Sequence, residues 1–294
     1  MPLPAQFVDR RQVLRNFARA AAGYDGAAVL QREVGSRMLE RLDYVRIEPK
    51  RVLDLGCGTG ASLTALHERY PKAQLIGADL SEAMLQAGRG QRSRLHWMLP
   101  FLRGKKTPLV AADGAALPFK SASISMLWSN LMLHWLDDPL PAFREMHRVL
   151  EVDGLLMFST FGPDTLSELR HSFGDGHIHT QRFGDMHDFG DMLIDCGFAD
   201  PVMDMEVLTL TYARLDDLFR DLRQSGAACA MQGRRHGLMG RTAWGAMRST
   251  YEALAREGRL PATFEVIYGH AWKTQPKKIE DGRAIIRFDT KRTR

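Results

Sequence analysis

The spacing of apolar and polar residues along this chain switches repeatedly between strand and helix periods. RVLDL (51–55) is a short buried-strand pattern, and SLTALHERY (62–70) sets Leu63, Leu66 and Tyr70 on one helical face. AQLIGADL (73–80) predicts a second strand, followed by a helix over SEAMLQAGR that Ser81 can cap. TPLVAAD (107–113) and SISMLWSN (123–130) predict two more strands, PLPAFREMHRVL (139–150) a helix, EVDG a turn, and LLMFSTF (155–161) a fifth strand. Further on, FGDMHDFGDMLIDCGF predicts a helix ending at Gly197, and VMDMEVLTLTY (202–212) a strand. LDDLFRDLRQSGA (215–227) and RTAWGAMRSTYEALAREG (241–258) predict helices, and FEVIYGHAWK (264–273) a closing strand. Strands alternating with helices call for an α/β fold with a doubly wound, mostly parallel sheet. Right-handed crossovers then gather the strand C-terminal ends, and any ligand, along one edge.

At the N-terminus, VDRRQVLRNFARAAA (8–22) is rich in arginine and poor in acids, which superficially suggests an organellar presequence. Its apolar set, Val13, Leu14, Phe17, Ala18 and Ala21, instead suits a packed helix. A length of 294 residues, 45% apolar and 26% charged, fits one main globular domain with elaborations. We divide it into an N-terminal helical cap (8–45), a core (50–162) and a helical lid with closing strands (163–273), with a mobile basic tail over 274–294. No run of 18 apolar residues is present, so no membrane span is expected. Cys57, Cys196 and Cys229 are scattered without a Cys-x-x-Cys pair, which points to a reducing cytoplasm and away from a disulfide frame or metal site. The net charge of +5 concentrates in the last third of the chain without a nucleic-acid motif. A solvated surface and a docking site for an acidic protein partner both fit that charge.

Chemistry concentrates in VLDLGCGTG (52–60). Gly56, Gly58 and Gly60 fall at the first strand-to-helix turn, where side chains would block close approach of backbone to a ligand. The spacing is G-x-G-x-G, which is not the dinucleotide fingerprint, and no G-x-x-x-x-G-K-[ST] occurs. Asp54, Asp79 and Asp113 close three successive strands. Each alone reads as a strand-end cap. Together, beside one glycine turn, they suit a nucleoside carrying a cation: Asp79 can accept both ribose hydroxyls and Asp113 a purine amine.

VLDLGCGTG resembles motif I of class I S-adenosylmethionine-dependent methyltransferases. GADLSEAML resembles their ribose-binding segment, ADGAALPF their adenine-side loop and WSNLMLHW their motif IV. The resemblance implies a Rossmann-like class I methyltransferase fold with a seven-stranded sheet, and S-adenosyl-L-methionine as cofactor. It assigns cofactor binding to Asp54, Gly56, Cys57, Gly58, Gly60, Asp79, Leu80, Asp113, Gly114 and Asn130. The flanks FVDRRQVLRNFARAAAGYD, STFGPDTLSEL and DLRQSGA resemble the BioC family, the malonyl-acyl-carrier-protein O-methyltransferases of biotin synthesis. REVGSRM, FGPDTLSELR and PATFEVIY also resemble a mitochondrial complex I assembly factor that hydroxylates an arginine.

The first resemblance implies malonyl-acyl carrier protein, or malonyl-CoA, as substrate, with no nucleic acid, and a monomer is expected. A carboxylate is already nucleophilic at neutral pH, so such an enzyme must align its reactants and exclude water rather than supply a strong base. No Ser-His-Asp set appears, and HIH (177–179) reads as a loop. Tyr24 can cover the methionine end of the cofactor or serve as a core tyrosine. His134 can touch substrate or be structural. Arg223 stands where the malonyl-directed relatives carry a basic residue; it can receive the malonyl carboxylate or pair on the surface with Asp217 or Asp221. Arg234, Arg235 and Arg241 are expected to form a rim for the acidic carrier protein.

Overall fold

The structure, a computed structural model, describes residues 7–98 and 107–275. Nearly all of the basic tail therefore lies outside the described residues. The first half of the chain alternates β1 (Arg51–Leu55), α4 (Ser62–Arg69), β2 (Gln74–Asp79), α5 (Glu82–Met98), β3 (Leu109–Ala111), β4 (Ile124–Asn130), α6 (Leu140–Val149) and β5 (Leu150–Phe161). Ahead of it stand α1 (Arg10–Ala20), the short α2 (Tyr24–Ala27) and α3 (Val29–Arg41). After it come α7 (Ser167–Ser172), α8 (Met186–Asp195), β6 (Ala199–Tyr212), α9 (Leu215–Gln224), α10 (Arg241–Glu252) and β7 (Leu260–Lys273).

The strands form one seven-stranded sheet in the order β3-β2-β1-β4-β5-β7-β6. β1 through β5 run parallel, while β7 lies antiparallel to both β5 and β6. β1 and β4 sit at the centre and are buried on both faces, which is why they read as continuous apolar runs. On one face Trp128 and Met157 pack with Val34 and Met38 of α3 and with Met247 and Tyr251 of α10. On the other, Leu53 and Phe158 pack with Phe143 and Met146 of α6 and with Phe189 and Leu193 of α8.

Three local expectations change. EVDG does not end a helix–strand turn, because Leu150 already pairs with Ile124 and the segment becomes the start of β5. Asp153 takes φ 63° there, and the ladder shifts register between Ile124 and Met126. The third strand shrinks to Leu109–Ala111, as it sits at the sheet edge with only β2 beside it. The helix expected over 241–258 stops at Glu252; Glu257 and Gly258, both at positive φ, turn the chain so that β7 begins at Leu260.

Candidate active site

The carboxyl ends of β1, β2 and β4 frame a cavity of about 300 Å³. Gly56 and Gly58 form its floor, with φ of 78° and 56°, a region that L side chains rarely adopt. A Cβ on Gly56 would lie 2.6 Å from the Met132 side chain, so the turn closes only over bare backbone. Asp79 stands beside it. Its Oδ2 accepts the Gly58 N–H at 2.8 Å and its Oδ1 the Ser81 N–H at 2.7 Å, leaving lone pairs on both oxygens for further donors. Desolvation pushes the Asp79 pKa up, and the two N–H groups pull against that rise.

The chain turns sharply after β4. Leu131 takes φ 53°, a conformation costing an L residue about 1–2 kcal/mol, held by N–H bonds to the Ser159 carbonyl and hydroxyl. Asn130, just before it, donates to Gln31 O and accepts from Ser159 Oγ, both at 2.8 Å. This turn delivers Met132, His134 and Trp135 to the cavity wall. The opposite wall is α1, through Arg10, Val13, Leu14 and Phe17, followed by Tyr24. Burial raises the Tyr24 phenol pKa, and the negative charges of Asp79, Asp25 and Asp54 raise it further, so the ring stays neutral in a locally negative field.

A second cavity of about 390 Å³ opens between α7, α9 and α10. Its lining is largely aromatic and aliphatic, including Phe161, Leu166, Phe173, Phe183, Leu222 and Trp244. The two cavities meet at His134, Trp135, Phe161 and Ala227. His134 is 6% exposed, with its ring centroid 4.8 Å from Phe161 and 5.0 Å from Trp135. Its Nδ1 has no hydrogen-bond partner among the described residues, and burial pushes its pKa down to about 3, so it is neutral at physiological pH.

Of the residues singled out from sequence, Tyr24, Gly56, Gly58, Asp79, Leu80, Asp113, Gly114, Asn130 and His134 line the first cavity. Asp54, Cys57 and Gly60 line neither. Asp54 is 1% exposed within β1, registered against Gly77 and Trp128. The Cys57 sulfur packs under the turn, 2.9 Å from where a Gly77 Cβ would stand, and the Gly60 N–H closes the turn onto Cys57 O at 2.7 Å. Cys57 and Gly60 build the turn itself, and Asp54 lies in the strand that leads into it. Asp113 is already engaged, its Oδ2 2.7 Å from Arg10 Nη1 and its Oδ1 accepting the Ala115 N–H.

Arg223 lies on the second cavity. Asp217 pairs with Arg220 at 2.7 Å and Asp221 with the Tyr212 hydroxyl, so neither acid holds Arg223. No ion pair or side-chain hydrogen bond engages its guanidinium among the described residues. Arg234, expected on a docking rim, is instead bound inward: it reaches Asp9 at 3.0 Å, Met231 O at 2.8 Å and Gln12 at 3.2 Å. Arg235 is tied to Asp175 and Leu238 O. Sequence reasoning missed Arg10 and Gln181: the first carries no spacing signal on an arginine-rich helix, and the second sits in a stretch without periodicity.

The sheet order with its antiparallel β7, the glycine turn and the acidic strand ends define the class I methyltransferase fold. A family described as a methyltransferase domain matches residues 53–158. The YcgJ protein from Bacillus subtilis superposes with a TM-score of 0.57 at 16% identity, covering 83% of this chain and all of that one. Closer in sequence is the malonyl-[acyl-carrier protein] O-methyltransferase of Gallionella capsiferriformans, 50% identical over 286 residues that cover 97% of this chain and 98% of the relative. The protein of the same name from Laribacter hongkongensis is 50% identical over 289 residues, 97% of each chain. The chain belongs to the malonyl-[acyl-carrier protein] O-methyltransferase family. The resemblance to the arginine-hydroxylating assembly factor finds no support among these relatives.

Proposed function

We propose that this protein methylates the free carboxylate of a malonyl group carried on acyl carrier protein, in the cytoplasm and as a monomer. The family places this reaction in biotin synthesis, as the sequence resemblance implies. The observation that supports the reading most directly is the pair of cavities meeting at His134, with the Arg223 guanidinium, unengaged among the described residues, in the second.

S-adenosyl-L-methionine is the cofactor, and it supplies an electrophilic methyl group on a sulfonium. The first cavity fits such a cationic nucleoside. Its floor is backbone, Asp79 retains acceptor capacity on both oxygens, and the field that raises the Tyr24 pKa is negative. We assign Asp79 to the ribose hydroxyls, Gly56, Gly58, Leu80, Gly114 and Asn130 to the walls, and Asp113, braced by Arg10, to the adenine side. Tyr24 covers the cofactor with a neutral ring, whose π face favours a neighbouring cation.

The chemistry requires little of the side chains. Methyl transfer to a carboxylate would need no proton moved, so the side chains would only have to hold and orient the acceptor. Arg223 receives and orients the malonyl carboxylate with charge-assisted hydrogen bonds. His134 stays neutral at the junction and, with Trp135 and Phe161, keeps water from the reacting atoms. α9 and α10 act as the lid over the acyl group. The deciding experiment incubates the protein with labelled cofactor and malonyl-acyl carrier protein, read by mass spectrometry. The expected product is heavier by one methylene, and absence of transfer despite tight cofactor binding would reject the assignment.

A further inference from the structure

Gln181 lies between α7 and α8 and is 6% exposed. Its Oε1 accepts the N–H of Ala230 at 2.7 Å. A backbone N–H can meet only the amide oxygen, so this bond fixes which end of the amide points where. The other end, Nε2, is buried and has no acceptor among the described residues. Gln181 lines the second cavity and not the first. Its amide therefore belongs to the lining of a chamber that also holds Phe161, Phe173, Phe183 and Leu166 and the guanidinium of Arg223. Buried donors in native proteins generally have partners, and an oxygen of a molecule filling the cavity can supply one.

The occupant follows from the reading proposed above. A malonyl thioester has two oxygen-bearing ends one methylene apart. The carboxylate that is methylated must reach the junction at His134, where the cavities meet. The thioester carbonyl then remains within the second cavity, where Gln181 is. We propose that Gln181 donates Nε2–H to the thioester carbonyl oxygen and thereby sets the orientation and length of the acyl group that the enzyme accepts. The contact discriminates against carboxylates lacking that carbonyl, since a site built to hydrogen-bond a substrate leaves its own donor unpaired when the partner is missing.

The test uses two substrates on the same coenzyme A arm: malonyl-CoA, and its S-(2-carboxyethyl) thioether, in which the carbonyl is a methylene. Wild-type protein is expected to turn over the thioether with kcat/KM lower by about 10²-fold. Gln181→Met keeps the side-chain length and a weak sulfur acceptor for the Ala230 N–H but has no donor. It should lower kcat/KM for malonyl-CoA by about 10²-fold and leave the thioether rate within about threefold of wild type. Affinity for the demethylated cofactor product should not change.

An equal fall on both substrates would assign Gln181 a merely structural role and overturn the proposal. Calorimetry on the wild-type protein saturated with that product gives a second reading that needs no variant. Malonyl-CoA is expected to bind more tightly than the thioether, and equal affinities would overturn the carbonyl contact. Wild-type protein that methylates no malonyl thioester would remove the malonyl reading itself, and the Gln181 assignment with it.

Discussion

The cavity at the ends of β1, β2 and β4 and the cavity between α7, α9 and α10 share four lining residues, His134, Trp135, Phe161 and Ala227, yet they are built from different materials. The first has a floor of strand ends and a backbone turn beside carboxylates that the sheet positions, with side-chain walls from α1 and from the turn after β4. The second is made of side chains on short helices and irregular loops, with Arg223 and Gln181 as polar points on an apolar wall. A backbone-built site recognises a molecule that many proteins of the fold share. A side-chain-built site can change its substrate without disturbing the sheet.

Four substitutions or conditions can break this contrast. The largest effect is expected from Asp79→Ala, which removes the proposed ribose acceptor and also leaves the N–H groups of Gly58 and Ser81 without their partner. With charged hydrogen bonds contributing about 1.5–3 kcal/mol each, cofactor affinity should fall at least about 10²-fold by calorimetry. An unaltered affinity in a folded variant would sink the assignment. Next is Arg223→Gln, which removes the proposed partner of the malonyl carboxylate and is expected to lower kcat/KM for the malonyl substrate by about 10–10²-fold while the cofactor Kd holds. Wild-type turnover would take Arg223 out of the site.

Arg234→Glu follows. It replaces the ion pair to Asp9 with two facing carboxylates, so we expect a loss of about 1–3 kcal/mol of stability, seen as a melting temperature lower by several degrees. A changed salt dependence of KM with unchanged melting would restore Arg234 to the docking rim. The smallest effect is on pH. Unfolded His134 protonates near 6.5 and folded His134 only at about 3, so the unfolded state binds the extra proton between those values. Stability should therefore fall as pH drops below about 6.5 and level off near 3. Burial depresses His147 and His270 in the same direction. Melting curves at pH 5 and 8 for wild type and His134→Phe should show a smaller gap in the variant.

The same contrast explains what the sequence revealed. Strands such as VLDL and SMLWSN are legible because burial on both faces leaves an uninterrupted apolar run, and the glycine turn because it must be bare. Which residues of that turn line the cavity was not legible: Asp54, Cys57 and Gly60 share its motif but are not among the lining residues, a matter of direction within a few residues. Arg234 misled because charge along a sequence does not reveal partners far away in the chain, here Asp9. Gln181 was invisible for a related reason. Its significance rests on one hydrogen bond to Ala230 and on the absence of another, neither of which has a local pattern.

Ala230 also joins the two sites. Its N–H is held by Gln181, and its carbonyl accepts the Asp9 N–H at 2.7 Å, at the start of the helix that walls the first cavity. Gln232 N–H returns a bond to Phe7 O at 2.8 Å, making a short clasp between the chain's first described residues and the substrate side. A ligand that orders either end of this clasp has less disorder left to remove at the other. Were this clasp to couple the two sites, thermodynamics would make the coupling reciprocal: the factor by which the demethylated cofactor product tightens malonyl-CoA would equal the factor by which malonyl-CoA tightens that product. Paired titrations of wild type and Asn16→Ala, which cuts the neighbouring 2.8 Å bond from α1 to Ala228 O, should show that factor shrinking equally in both directions.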